Sequence, residues 1–189
     1  MGMPDLARRW TREEVLALPD DGNRYELLDG ELLVSPSPRP LHQLALDALY
    51  DRLQPYVRQH QLGRTLHSPA DLDFRSGQLL QPDLFVYPDP PGGLREWSQI
   101  GIPILVVEVL SPSTALHDRN RKRRRYQDFG VPEYWIVDPD ARLIERWRPD
   151  DQRPEILTEH LEWQPGLELP PLRIDLGKYF REVGGAEPG

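Results

Sequence analysis

The chain has 189 residues and a mass of 21.9 kDa, with 38% hydrophobic and 29% charged residues, which is typical of one globular domain. Its 23 Lys and Arg residues stand against 31 acids, so the net charge of -8 excludes a polycation that coats nucleic acid indiscriminately. The absence of cysteine excludes disulfide scaffolds, thiolate zinc sites and thiol nucleophiles. The sequence shows neither a signal-peptide stretch nor an apolar run of about 18 residues, which predicts a cytoplasmic protein that does not enter a membrane.

The first predicted elements are a short helix and a hairpin. A capping-box pattern of Thr11 with Glu14 predicts a helix that ends at Pro19. Two β-prone runs, residues 24–29 and 31–35, meet at an Asp-Gly dipeptide, which is the strongest short sequence signal for a β-hairpin.

A long amphipathic helix is predicted next, over residues 41–60, because apolar residues recur there at helical spacing. The pattern then changes to period two, which predicts short strands at residues 64–67, 71–75 and 84–87. Residues 102–110 form a nearly unbroken apolar run that is rich in β-branched side chains, so we predict a central strand.

The second half of the chain predicts a helix and a further hairpin. A polar helix is expected at residues 115–129, ended by a glycine. Residues 133–138 and 142–147 predict a hairpin, and residues 156–159 are expected to extend its sheet. With no repeat and no linker visible, we expect a single domain over residues 1–189.

Two acidic residues carry the strongest functional signal. Glu108 lies inside the apolar strand, where an unpaired carboxylate costs several kcal/mol, so it needs a cation, a metal ion or solvent. A partner among the many arginines is the alternative explanation. Asp83 stands just before the strand at residues 84–87, and antiparallel pairing of the two strands would bring both carboxylates within reach of one ion. Such hard oxygen ligands suit Mg²⁺ or Mn²⁺.

Lys122 is one of only two lysines in a chain with 21 arginines. A surface ion pair with Asp118, four residues earlier, is the ordinary explanation. A chain that uses arginine almost everywhere nevertheless retains lysine here, which favours a need for a compact ammonium near a reacting phosphate or water.

The segment around Lys122, residues 119–125, carries six positive charges in seven positions and predicts a phosphate-facing stripe. The arginines of this stripe are Arg119, Arg121, Arg123, Arg124 and Arg125. A solvated face with salt bridges to nearby acids is the alternative interpretation.

Three further residues are secondary candidates or open choices. Glu26 and Glu31 flank the turn of the first hairpin, and either could face a cleft. His42 is an isolated histidine at the start of the long helix, a position where capping or packing is the commoner role. Zinc-ligand spacing, a P-loop, a dinucleotide-binding loop and a nucleophile elbow are all absent from the sequence.

Together these residues resemble the PD-(D/E)XK nuclease superfamily: Pro82-Asp83, then Glu108 in an apolar strand, then Lys122 on the next helix. More narrowly, the chain resembles the Uma-type restriction endonuclease family of bacteria over about residues 10 to 180, which we take as the ordered core between flexible termini. The segments that carry this narrower resemblance are residues 25–31, 107–114 and 130–139, together with Asp118.

The resemblance implies an α/β fold with a restriction-endonuclease-like core, in which helices flank a central mixed β-sheet and additional β-hairpins are attached. It implies Asp83 and Glu108 as ligands of Mg²⁺ or Mn²⁺, the Val109 carbonyl as a further ligand, and Glu26 as an added acid for which Glu31 is the substitute. The usual lysine position of the motif, two residues after Glu108, is Leu110 in this chain. The resemblance therefore implies that Lys122 supplies the ammonium from the following helix.

The predicted function is metal-dependent hydrolysis of phosphodiester bonds in nucleic acid, with DNA as the expected substrate, by a homodimeric hydrolase. The main alternative is a catalytically inactive nuclease-fold module that binds nucleic acid or protein. A metal phosphohydrolase acting on nucleotides is a third class, and it would need a closed pocket.

Overall fold

The computed structural model describes residues 8–72, 77–111 and 115–184. A helix and a hairpin come first, as predicted: α1 (Arg12–Leu16), β1 (Arg24–Leu28) and β2 (Glu31–Ser35). The capping box at α1 is present, and β1 pairs antiparallel with β2. Asp29 and Gly30 both have positive φ, which is the backbone geometry that a tight hairpin turn requires.

The predicted long helix is α2 (Pro40–Gln59). It begins with proline, whose missing N–H group costs nothing in the first turn of a helix. Pro55 lies inside α2 without ending it.

A six-stranded mixed sheet lies at the centre of the fold. Its strands, in their order across the sheet, are β3 (Arg64–His67), β4 (Leu84–Tyr87), β5 (Leu105–Val109), β6 (Tyr134–Asp138), β7 (Leu143–Trp147) and β8 (Glu155–Leu157). Only β5 and β6 pair in parallel, and the other neighbours are antiparallel. β5 is therefore an interior strand, as predicted, although it is shorter than the apolar run.

The connection between the parallel strands contains helical segments and one segment of π-helix. A short 3-10 turn at Trp97–Gln99 precedes β5. After β5, the chain forms α3 (Ala115–His117), a π-helical segment (Asp118–Lys122) and α4 (Arg123–Asp128). The sequence predicts one helix here and gives no indication of the wider π turn.

The last described elements are a small hairpin and a helix: β9 (His160–Trp163), β10 (Leu172–Asp175) and α5 (Leu176–Gly184). β9 and β10 pair with each other as a separate two-stranded sheet. Of the predicted strand at residues 71–75, Leu72 forms an isolated bridge with Leu80, and residues 73–76 lie outside the described part of the chain. None of the described helices is long and apolar enough to cross a bilayer.

The two faces of the central sheet pack against different partners. Val107 and Val109 of β5 belong to the core cluster that contains the apolar residues of α2 and α5. Val106 belongs to the opposite cluster, together with Tyr126 of α4 and Leu28 of the first hairpin. Because strand side chains alternate between faces, Glu108 lies on the same face as Val106, beneath α4 and the hairpin.

We predict that Leu49→Ala destabilises the protein by about 2–5 kcal/mol, since Leu49 is fully buried between α2 and the sheet. Leu44→Ala, on the same helix but half exposed, is the matched control and should change stability by less than about 0.5 kcal/mol. Urea denaturation of the two variants measures both values, and equal effects would contradict the placement of the core.

Candidate active site

The pairing of β4 with β5 brings two candidate acids together. The strands are antiparallel, as predicted, with Leu84 opposite Val107. One step further along this register, Asp83 lies beside Glu108. The sheet thus joins two carboxylates that are 25 positions apart in the sequence.

Three carboxylates surround the ammonium group of Lys122. Its Nζ atom lies 2.9 Å from Oε2 of Glu26, 3.1 Å from Oε1 of Glu108 and 3.3 Å from Oδ1 of Asp118. All four side chains are about 1% exposed, so the ion pair with Asp118 considered from the sequence is present but is buried, not at the surface. Of the three carboxylates, Glu108 accepts a hydrogen bond from Nζ, and Glu26 and Asp118 form ion pairs with the ammonium.

The π-helical segment positions two members of this group. Asp118 begins the segment and Lys122 ends it, and both side chains are buried. Isolated π turns within helices are frequent at functional sites, because the wider turn displaces side chains from their ordinary helical directions. The chain thus departs from ordinary α-helical geometry at the segment that carries its buried lysine.

Asp83 is held by three donors. Its Oδ1 atom accepts from Nη1 of Arg24 at 2.6 Å, and its Oδ2 atom lies 2.7 Å from the amide nitrogen of Val109 and 3.0 Å from Nε2 of His42. Burial alone would raise the pKa of Asp83, but the His42 hydrogen bond and the charge of Arg24 hold it well below the ordinary value. Asp83 is therefore an anion in the folded protein.

Glu108 has the opposite electrostatic character. Its Oε1 atom accepts from Lys122 and, at 3.3 Å, from the hydroxyl of Tyr126. Its Oε2 atom is buried and has no hydrogen-bond partner among the described residues. Burial raises the pKa of Glu108 well above its ordinary value; the charge of Lys122 lowers it, and the nearby acids raise it further.

We call Glu26, Asp83, Glu108 and Asp118 the acidic cluster. When all four are ionised, the charges of Lys122 and Arg24 leave it with an excess of two negative charges. Burial alone would lower the pKa of Lys122, but Glu108, Glu26 and Asp118 raise it well above the ordinary value. Lys122 therefore keeps its proton and acts as a cation.

A cleft of about 490 Å³ opens next to the acidic cluster. Asp83, Arg24 and His42 line it, together with Arg39 and Ser111. The cleft-lining residues do not include Glu26, Glu108 or Lys122, which lie deeper. Asp83 is therefore the member of the acidic cluster that faces the cleft.

The donor set has the chemistry of a divalent metal site, although it is not assembled as one. Carboxylate oxygens, and a buried Glu108 oxygen without a hydrogen-bond partner among the described residues, suit Mg²⁺ or Mn²⁺. In the described part of the chain, however, no three His, Asp or Glu side chains are arranged to hold an ion. Lys122 and Arg24 contact several of the carboxylate oxygens instead.

Most arginines of the predicted stripe have partners within the protein. Arg119 contacts Asp138 and Glu145, Arg121 contacts Glu31, Arg123 stacks on Trp147 and Arg125 contacts Asp29 and Asp128. Arg124 is exposed. The salt-bridged face considered as an alternative therefore describes three of the five side chains, those of Arg119, Arg121 and Arg125, and phosphate binding by the stripe stays a prediction.

The structure distinguishes between the two acids of the first hairpin. Glu26 is buried against Lys122, whereas Glu31 is exposed and contacts Arg121 at the surface. Of the two, Glu26 is thus the acid that joins the site. For Val109, the contact that the structure gives is its amide bond to Asp83, and a role for its carbonyl as a ligand stays a prediction.

Sequence reasoning missed Arg24 and Tyr126, both of which contact the acidic cluster. A signal for Arg24 was present, because side chains two apart on a strand share a face and Arg24 precedes Glu26 by two. Tyr126 follows Lys122 by four residues and so shares its helical face. The backbone amide of Gln81, which donates to Glu26 at 2.9 Å, has no comparable signal.

Comparison with known proteins identifies a family and a similar solved structure. The profile of the family described as "Uma2: Putative restriction endonuclease" matches residues 12–177. The fold is similar to that of a solved structure described as a putative nuclease belonging to DUF820 from Anabaena variabilis ATCC 29413, with a TM-score of 0.77 and 20% identity. The match covers 92% of this chain and 98% of that one. No curated protein matches the sequence.

We predict that Lys122→Met lowers the free energy of unfolding by about 3–5 kcal/mol, because it leaves three buried carboxylates without their ammonium. Lys178→Met, which changes the other lysine of the chain at a position 74% exposed, is the control and should cost less than about 0.5 kcal/mol. Denaturant unfolding compares the two, and a stable Lys122→Met protein would contradict the arrangement described here.

Proposed function

The chain belongs to the family described as "Uma2: Putative restriction endonuclease", and we propose that it is a divalent-metal-dependent endonuclease that hydrolyses phosphodiester bonds in DNA. One observation carries the proposal: Asp83 and Glu108 lie side by side next to a cleft, and a buried ammonium from the following helix touches Glu108. Acids that hold a divalent ion, with a cation beside them, can supply the Lewis acidity and the charge stabilisation that phosphodiester hydrolysis needs.

Asp83 and Glu108 are the residues that would hold Mg²⁺ or Mn²⁺, with the Val109 carbonyl as a further ligand. An ion held there would supply the Lewis acidity that polarises a phosphate and lowers the pKa of water. Asp83 is suited to this role because its lowered pKa keeps it ionised, and because it faces the cleft from which substrate arrives.

Lys122 contributes positive charge and position. Its raised pKa means that it retains the proton at Nζ, so we assign it the stabilisation of negative charge and not the abstraction of a proton. Its contacts also fix Glu26 and Glu108 relative to one another. Glu26 in turn accepts the amide of Gln81, which connects the first hairpin to the segment that carries Asp83.

We predict that Glu108→Gln lowers the rate of supercoiled-plasmid cleavage by about 100-fold or more, because the amide is a poor ligand for a hard cation. The same variant should be at least as stable as the parent, since it removes a costly charge from a buried cluster. Glu162→Gln, at a half-exposed surface position, is the matched control and should cleave normally. Assays with Mn²⁺, Mg²⁺ or EDTA, run beside urea denaturation, measure both properties.

Two results would contradict the proposal. Cleavage that persists in Glu108→Gln would remove Glu108 from the reaction. DNA binding by the parent protein without any metal-dependent cleavage would favour the inactive nucleic-acid-binding module instead.

We also propose that the enzyme is a homodimer, an arrangement suited to cutting both strands of a duplex. Within the described residues, β3 and β8 are the edges of the central sheet, and each pairs on one side only. We predict that light scattering gives twice the 21.9 kDa of the chain. A monomer mass at high protein concentration would contradict the dimer.

A further inference from the structure

Arg24 stands between the acidic cluster and the cleft. Its Nη1 atom donates to Oδ1 of Asp83 at 2.6 Å, and its Nε atom lies 3.6 Å from Oε2 of Glu26. The same Nη1 atom donates to the carbonyl of Gln81 at 3.1 Å. The side chain is 19% exposed and lines the cleft. One guanidinium thus spans two carboxylates at the point where solvent reaches them.

The two carboxylate oxygens of Asp83 are held by donors that differ in their freedom to move away. Oδ2 is held by the backbone amide of Val109, which β5 fixes, and by the ring of His42, which is buried in α2. Among the donors to Asp83 in the described structure, only Arg24 on Oδ1 belongs to a long, partly exposed side chain. A cation that binds Oδ1 of Asp83 therefore competes with the Arg24 guanidinium.

The charge of Arg24 cannot be removed by losing a proton. A guanidinium stays protonated in proteins. The side chain can release the carboxylates only by moving.

We propose that Arg24 is an internal counter-ion that occupies the cation position beside Asp83, and that a divalent ion binds only by displacing its guanidinium. The inference rests on the metal site proposed above and adds a residue that controls its occupancy. It explains why the acids of the site are close together and yet not arranged as an assembled metal site: two of them are held around the guanidinium. The net charge supports exchange, because a divalent ion offsets more of the excess negative charge than one guanidinium does.

The test is calorimetric binding of Mn²⁺ to the full-length protein without nucleic acid. We expect Arg24→Gln to bind Mn²⁺ roughly ten-fold more tightly than the parent or better, because the ion no longer competes with a bound charge. Arg39→Gln is the matched control: this arginine lines the same cleft but pairs with Asp140 at the surface, and its removal should leave Mn²⁺ affinity unchanged.

Stability provides a second measurement that does not depend on cleavage. Metal-free Arg24→Gln should unfold at a lower temperature than the parent, because it loses the counter-ion of Asp83 and Glu26, and Mn²⁺ should raise its melting temperature by more than it raises that of the parent. Arg24→Lys keeps the positive charge, but its single ammonium does not span Asp83 and Glu26 as the guanidinium does. This variant should bind Mn²⁺ with an affinity between those of the parent and Arg24→Gln. This variant also serves if Arg24→Gln does not fold.

The outcomes separate the inference from the proposed function. If the parent binds Mn²⁺ and loss of the guanidinium leaves the affinity equal or weaker, the inference is wrong and the metal site stands. If neither the parent nor any variant binds Mn²⁺, both are wrong. If Arg39→Gln gains as much Mn²⁺ affinity as Arg24→Gln, the loss of any positive charge from the cleft explains the gain. That result would also overturn the inference.

Discussion

The buried ammonium of Lys122 is the interaction on which the rest of the site depends. It contacts carboxylates that come from the first hairpin, the central sheet and the π turn. Without a cation, burying these acids together would cost more than an ordinary packed core provides. The ion pairs of Lys122 therefore connect the first hairpin and the π turn to one face of the sheet, and they fix the geometry of the candidate active site.

The acidic cluster is a poor choice for stability alone. Apolar residues of similar volume would pack on this face without the desolvation of charge, and buried ion pairs seldom exceed what hydrophobic packing provides. Glu108 keeps a buried oxygen without a hydrogen-bond partner in the described structure, and Asp83 faces a cleft. Groups that conflict with the surrounding core in this way are characteristic of functional sites. This electrostatic cost supports a chemical role for the site.

Most elements of the fold were predictable because their signals are local. The capping box at Thr11, the Asp29–Gly30 turn and the apolar periodicity of α2 each act over a few residues, and the structure confirms all three. The π turn was not predictable, since the segment from Asp118 to Lys122 reads as ordinary helix. Its wider turn accompanies the burial of both end residues, which is a tertiary interaction. The strand predicted over residues 102–110 is shorter in the structure, where it covers Leu105–Val109. One reason for its later start is that Pro103 has no amide hydrogen to donate to a neighbouring strand.

By itself, the sequence determined the order of the elements, the interior strand and the unusual residues Asp83, Glu108 and Lys122, because each depends on composition or short-range pattern. Only the tertiary structure decided which acid of the hairpin joins them, that most arginines near Lys122 pair within the protein, and that Arg24 lies between Asp83 and Glu26. These outcomes depend on the three-dimensional position of charges that are distant in the chain. In a low-dielectric interior, a shift of a few ångströms decides whether a charge is paired, and local sequence does not encode such distances.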